Sequence, residues 1–177
     1  MRHHNMLMQT IRDIERIGDY ATNLDEMSKE MHASEVKFSE VALRELDVLA
    51  DATQEILRLT IEALETDNEY VTRRIEPLEE IIDRMVLLLK ERHTTRLCQG
   101  TCNINSGLIF MDALTYFERT ADQCSNTAMR ILGKTNVEIM KNPHAYLHVL
   151  HTTGDQSYFA EQENRRLQYL VPLENMK

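Results

Sequence analysis

The segment MDALTYFERTADQCSN, residues 111–126, has a counterpart 103 residues earlier in MQTIRDIERIGDYATN, residues 8–23. Five positions coincide: Met8 with Met111, Glu15 with Glu118, Arg16 with Arg119, Asp19 with Asp122 and Asn23 with Asn126. Ordinary composition would give about one such identity by chance. Other positions keep their character, Ile11 with Leu114, Ile14 with Phe117, Gly18 with Ala121 and Thr22 with Ser125. Both copies space their apolar residues three and four apart, the pattern of an amphipathic helix. In the first the seam is Leu7, Ile11, Ile14, Ile17, Ala21 and Leu24. In the second it is Phe110, Met111, Leu114, Phe117, Ala121, Cys124, Ala128 and Ile131. The recurring unit is therefore a long helix inside a structural repeat of about a hundred residues.

The rest of the chain reads the same way. Leu46, Leu49, Thr53, Ile56, Leu57, Thr60 and Leu64 form a near-heptad seam behind Ser39, a natural N-cap, with Phe38 and Leu43 spaced as a hydrophobic staple. Thr66 to Glu69 has capping-box spacing and opens a helix that Pro77 should kink or divide, the first piece ending at Glu76. Gly100 falls where a C-terminal cap belongs, Asn103 to Gly133 frames the helix of the second copy, and Asn142-Pro143 starts a short one. A last helix is expected from Gly154-Asp155 to just before Pro172. Long helices with short links give an all-α antiparallel bundle. It divides into 1–35, the last helix of an incomplete first repeat, 36–135, a complete three-helix repeat, and 136–177, short C-terminal helices.

Composition narrows the function. With 5 Gly and 3 Pro in 177 residues the chain lacks the turns of a sandwich or barrel. Its formal net charge of −9 repels phosphate backbones and excludes a general nucleic-acid binder, while favouring cations. Cys98, Cys102 and Cys124 imply no disulfide framework and fit a reducing compartment. The longest unbroken apolar run, 85–89, is far too short to span a membrane, and no secretory h-region follows the N-terminus.

Glu15, Asp19 and Asn23, like Glu118, Asp122 and Asn126, fall at i, i+4 and i+8, a single stripe beside the apolar seam. Two like charges one turn apart cost a few tenths of a kcal/mol, so something must offset them. Arg16 and Arg119 are one candidate and a bound cation is another. An all-oxygen set suits Mg, Ca, Mn or ferric iron and disfavours zinc. Glu79 and Asp83 repeat the spacing on another helix and could face the second copy. A merely solvated charged stripe remains the competing reading. His144, His148 and His151 share one helical face, where packing beside Tyr146 and Leu147 competes with metal ligation. None of the seven histidines has a Glu three residues before it, which disfavours a di-iron carboxylate enzyme.

The segment IERIGDYATNLDE, residues 14–26, resembles the signature of the PhoU family, whose repeated E(D)xxxD motifs lie on helices, and FERTADQCSN, residues 117–126, is similar to its second motif. Thr120, Gln123 and Cys124 depart from that second pattern. KFSEVALRELDVLAD (37–51), residues 73–107 and HAYLHVL (144–150) resemble a narrower group, the cytoplasmic C-terminal domain of bacterial Na/Pi cotransporter-like proteins. The resemblance implies two three-helix bundles, the motif on the third helix of each, so two helices of the first bundle are missing ahead of residue 8. It also implies a non-enzymatic regulatory module that binds a multivalent metal through Glu15, Asp19, Glu118 and Asp122, with Arg16, Asn23, Arg119 and Asn126 in support; Glu79 and Asp83, by their spacing alone, are further candidate ligands. It implies as well a place at the cytoplasmic face of the inner membrane beside a membrane-embedded phosphate transporter domain. The stripe from Leu7 to Leu24 must be covered, either on the chain's own three-helix bundle, making four helices, or by another copy, and a homodimer is the expected association. A structural oligomerisation bundle without metal is the alternative.

Overall fold

The computed structural model describes residues 2–153 and 156–176, so Gly154 and Asp155, expected to open the last helix, lie outside the described residues. The described residues are helical and contain no strand. The helices are α1 (Arg2–Ala33), α2 (Glu40–Thr66), α3 (Glu69–Thr72), α4 (Ile75–Cys98), α5 (Ile104–Gly133), α6 (Val137–Lys141), α7 (Pro143–Thr153), α8 (Gln156–Arg165) and α9 (Val171–Asn175). A π-helical turn, Arg166–Leu170, joins the last two.

Local chemistry sets most of these boundaries. The Ser39 side chain accepts from the Ala42 amide, so α2 begins on the cap read from sequence, and Asn103, read as the start of its helix, caps α5 by accepting from the Asn105 amide. Gly100 takes a positive φ of 68° just past α4, the left-handed geometry that ends a helix. The expected staple does not form. Phe38 instead packs edge-on against Phe110, 5.6 Å between ring centres, and leaves Leu43 exposed. The short helix before Pro77 ends at Thr72, earlier than Glu76, which puts the proline in the first turn of α4, where its missing N–H costs no helical bond. Nor does Pro172 end the last helix: the π-helical turn directly ahead of it absorbs the lost hydrogen bond and the chain continues to Asn175. The one-turn helix α6 carries no periodicity long enough to announce itself.

α2, α4 and α5 enclose the core. Leu49, Ile56, Leu59, Ile75, Leu78, Ile81, Ile82, Met85, Leu89 and Leu114 are fully buried. The C-terminal segment closes it, adding Leu170 and Leu173. A buried guanidinium, Arg165, holds that segment down by pairing with Glu55 at 2.5 Å and Glu161 at 2.7 Å, while the Tyr169 hydroxyl donates to Glu55.

α1 lies antiparallel to α5, as its pairings of Asp13 with Arg130 and of Tyr20 with Tyr116 show. It docks through Asp13, Ile17, Tyr20 and Leu24. Asp13 is buried and ion-paired with Arg130, and Tyr20 meets Tyr116 with ring centres 6.0 Å apart. Only part of the seam expected to dock does so: Ile17 and Leu24 turn inward, while Leu7 is 55% exposed, Ile11 48% and Ile14 50%. A buried aspartate paired to arginine wins the interface, which apolar periodicity alone does not reveal.

Candidate metal centre

The acidic groups converge on the groove between α4 and α5. Glu79 and Asp83 stand one turn apart on α4, and Asp122 projects toward them from α5. One carboxylate oxygen from each of the three lies within 4.8 Å of the others. Glu79 is buried and shares a hydrogen bond with Asp122. Glu118, one turn before Asp122, sits at the edge of the groove, where its carboxylate accepts from Lys90 Nζ at 2.7 Å.

Crowding these carboxyls together opposes their ionisation. Burial, and then the neighbouring charges of Glu76, Asp83 and Asp122, push Glu79 up to about 10. Burial and the charges of Asp122 and Glu118 raise Asp83 to about 7. Asp122 is raised by burial and by Glu118, partly offset by the hydrogen bond from Glu79. Asp83 Oδ1 is buried without a hydrogen-bond partner. An acceptor without a donor beside two carboxyls that resist carrying charge is a donor set suited to a hard cation.

A second group lies one turn toward the N-terminus of α4. Glu76, 2% exposed, accepts from Ser125 Oγ and meets His151 Nε2 at 2.8 Å, while His151 Nδ1 faces Glu80 at 3.4 Å. Burial raises Glu76 above its ordinary value against the pull of Ser125 and His151. Of the three histidines on the α7 face, His144 and His148 are exposed and only His151 turns inward, stacked on Tyr158.

The structure thus brings together Glu79, Asp83 and Asp122, with Glu118 adjacent. It does not bring Glu15 and Asp19 to them. Both lie on the exposed side of α1, outside either acidic group among the described residues. Asn23 is half-buried on the same helix and Asn126 exposed on α5. Arg16 and Arg119 are exposed and form no ion pair within 4.0 Å among the described residues, although Arg119 still favours ionised Asp122 at longer range. The arginines that carry structure are others. Arg92 and Arg96 pair with buried Glu45 at 3.1 and 2.8 Å, and Arg130 with Asp13.

The groove lies within the stretch that comparison with known families picks out. Residues 46–131 match the PhoU domain. Both members of the α4 acidic pair and both of the α5 pair fall inside that PhoU domain match, while α1, with Glu15 and Asp19, precedes it. A curated relative, the phosphate-specific transport system accessory protein PhoU homolog 1 of Thermotoga maritima, is 21% identical over 147 residues, 83% of this chain. The chain spans 61% of that relative's length. No solved structure matches the chain.

Proposed function

We propose that this chain is a regulatory or accessory module of sodium-dependent phosphate transport, acting through a multivalent cation and not through catalysis. The observation that carries the cation reading is the groove between α4 and α5. Three carboxyls stand within 4.8 Å, one has a buried acceptor without a donor, and two resist ionisation because burial and the neighbouring carboxylates oppose it. Glu79, Asp83 and Asp122 would hold the ion, with Glu118 free to leave Lys90 and join them. The all-oxygen donors suit Mg, Ca, Mn or ferric iron. Glu15 and Asp19 repeat the motif on the outer side of α1, a half-set that a further helix would complete, with Arg16, Asn23, Arg119 and Asn126 shaping the field around both stripes.

The match to the PhoU domain and the likeness to a phosphate transport accessory protein support the transport setting. In that setting the module works at the cytoplasmic face of the inner membrane against a membrane-embedded phosphate transporter domain, and no nucleic acid is involved. Cation binding would pull α4 and α5 together by neutralising the charges that now repel across their groove, and the transporter would read the altered surface.

Calorimetry with Mn(II) tests the site. The wild type is expected to bind and the Asp83→Asn/Asp122→Asn variant to lose binding, whereas equal binding by both removes the assignment. Phosphate uptake by host cells carrying that variant in place of the wild-type chain tests the setting. Unchanged uptake, with metal binding lost, would leave a cation-binding bundle without a transport role.

A further inference from the structure

We infer that the cavity between the end of α4 and the starts of α2 and α5 binds a small oxyanion of the phosphate type. The inference is independent of the cation groove and of the transport reading. Along α4 the cavity lies ten residues beyond Asp83, at His93, which is about 15 Å at the helical rise. It starts from two buried nitrogens. His93 is 2% exposed, and its Nε2 has no hydrogen-bond partner among the described residues. Arg96, three residues on, has a buried Nη2 in the same condition. Buried polar atoms are nearly always satisfied, so two neighbours left over call for a ligand that accepts from them. Packing accounts only for where the two side chains lie. His93 stacks on Phe110 with ring centres 5.0 Å apart, and the Arg96 guanidinium stands 5.5 Å over the same ring. A Cβ on Gly107 would meet His93 Nε2 at 2.9 Å, so it takes a glycine to let the imidazole lie against the first turn of α5.

Both side chains line a cavity of about 280 Å³, and the caps of two long helices, Ser39 of α2 and Asn103 of α5, line it with them. Helix N-termini favour negative charge. The side-chain charges agree. Glu45 is the carboxylate that faces this group, and Arg92 and Arg96 share it at 3.1 and 2.8 Å, one negative charge against two positive. Lys37 adds an exposed ammonium to the lining, and no carboxylate among the described residues lines the cavity, which sets it apart from a cation site. Burial, and then the Arg96 charge, hold His93 below its ordinary value, so at neutral pH it is an uncharged imidazole with one N–H to give. Guanidinium and imidazole N–H groups are both donors to an oxyanion. The lining comes from α2, α4, α5 and the residues that lead into α2 and α5, which suits an ion with several oxygens better than chloride. The volume falls just short of the roughly 300–1,000 Å³ typical of drug-sized ligand pockets, so the ligand is the oxyanion itself or a small monoester that carries it.

NMR of the full chain with labelled histidine, titrated with inorganic phosphate in EDTA at fixed ionic strength, tests the site. The His93 resonances should shift and saturate, sulfate should compete, and chloride should not. By calorimetry His93→Leu should weaken phosphate binding by about tenfold or more, the loss of one hydrogen bond to a charged group. Lys37→Glu, at an exposed side chain, should weaken it several-fold with thermal unfolding unchanged, and Lys29→Glu, equally exposed on α1, should leave it as in the wild type. Glycerol 3-phosphate separates the two sources: displacement of phosphate by it at equal concentration supports a monoester at this site, and failure to displace supports the free ion. The absence of a saturable His93 shift at millimolar phosphate overturns the inference. So does a shift that chloride produces equally, or phosphate binding that Lys37→Glu leaves unchanged.

Discussion

Glu79→Gln should make the metal-free protein more stable at neutral pH. In the folded chain Glu79 stays protonated up to about 10 because it is buried among Glu76, Asp83 and Asp122. In the unfolded chain the same carboxyl ionises near its ordinary value of 4.5. Between those values the unfolded state holds fewer protons than the folded one, so this group's contribution to stability falls as pH rises. At about pH 7 the gap between solution pH and the unfolded value is some 2.5 units, which at about 1.4 kcal/mol per unit amounts to a penalty of roughly 3 kcal/mol. Glutamine keeps the shape and can still donate to Asp122 but has no proton to lose. Urea unfolding in the presence of EDTA should therefore show the variant more stable by up to about 3 kcal/mol at pH 7, the advantage shrinking toward zero by about pH 4. Mn(II) should then stabilise the wild type more than the variant, because the ion needs the carboxylate. A variant no more stable than wild type at neutral pH, or stabilised equally at both, would refute the argument that electrostatic crowding at Glu79 opposes folding.

Arg130→Met should cost about 3 kcal/mol, since it strands the buried Asp13 carboxylate, while Arg119→Ala at an exposed, unpaired arginine should stay within about 0.5 kcal/mol. Chemical denaturation of the two variants side by side checks the contrast, and equal losses would contradict it. Leu173→Ala should cost about 2–5 kcal/mol because its side chain is fully buried in the core, and a loss under about 1 kcal/mol would mean that the C-terminal segment is not part of the cooperative unit. Thermal unfolding followed by circular dichroism supplies that measurement.

The helices were legible because their signals are local. Ser39 and Asn103 cap, Gly100 ends a helix, and the seams of α2, α4 and α5 repeat at the helical period. The choice of docking face on α1 was not legible. Its outer face is the more apolar, and the inner face wins through Asp13 and Arg130, 117 positions apart, a pairing no window of sequence contains. The continuation through Pro172 escaped for a related reason: a π-helical turn has no residue signature of its own, and proline alone reads as a stop. At the candidate centre the spacing of Glu79 with Asp83 and of Glu118 with Asp122 was visible, but the rotation of α4 against α5 decides that Asp122 joins the α4 pair while Glu118 turns to Lys90. His151 was one of three equivalent histidines until Glu76, 75 positions away, singled it out.

The C-terminal strap bears on how this chain folds during its synthesis. Arg165 and Tyr169 grip Glu55, and Leu173 enters the space between helices made more than 70 positions earlier. As residues emerge from the ribosome in order, α2, α4 and α5 can pair loosely once residue 133 is out, yet their core stays open at one side until residue 173 follows. Over that interval the nascent chain displays apolar surface and a Glu55 carboxylate whose remaining ion-pair partner is Arg58, one turn along α2. It is then that a chaperone has most to hold, and synthesis halted between residues 133 and 173 would leave behind a core that cannot close.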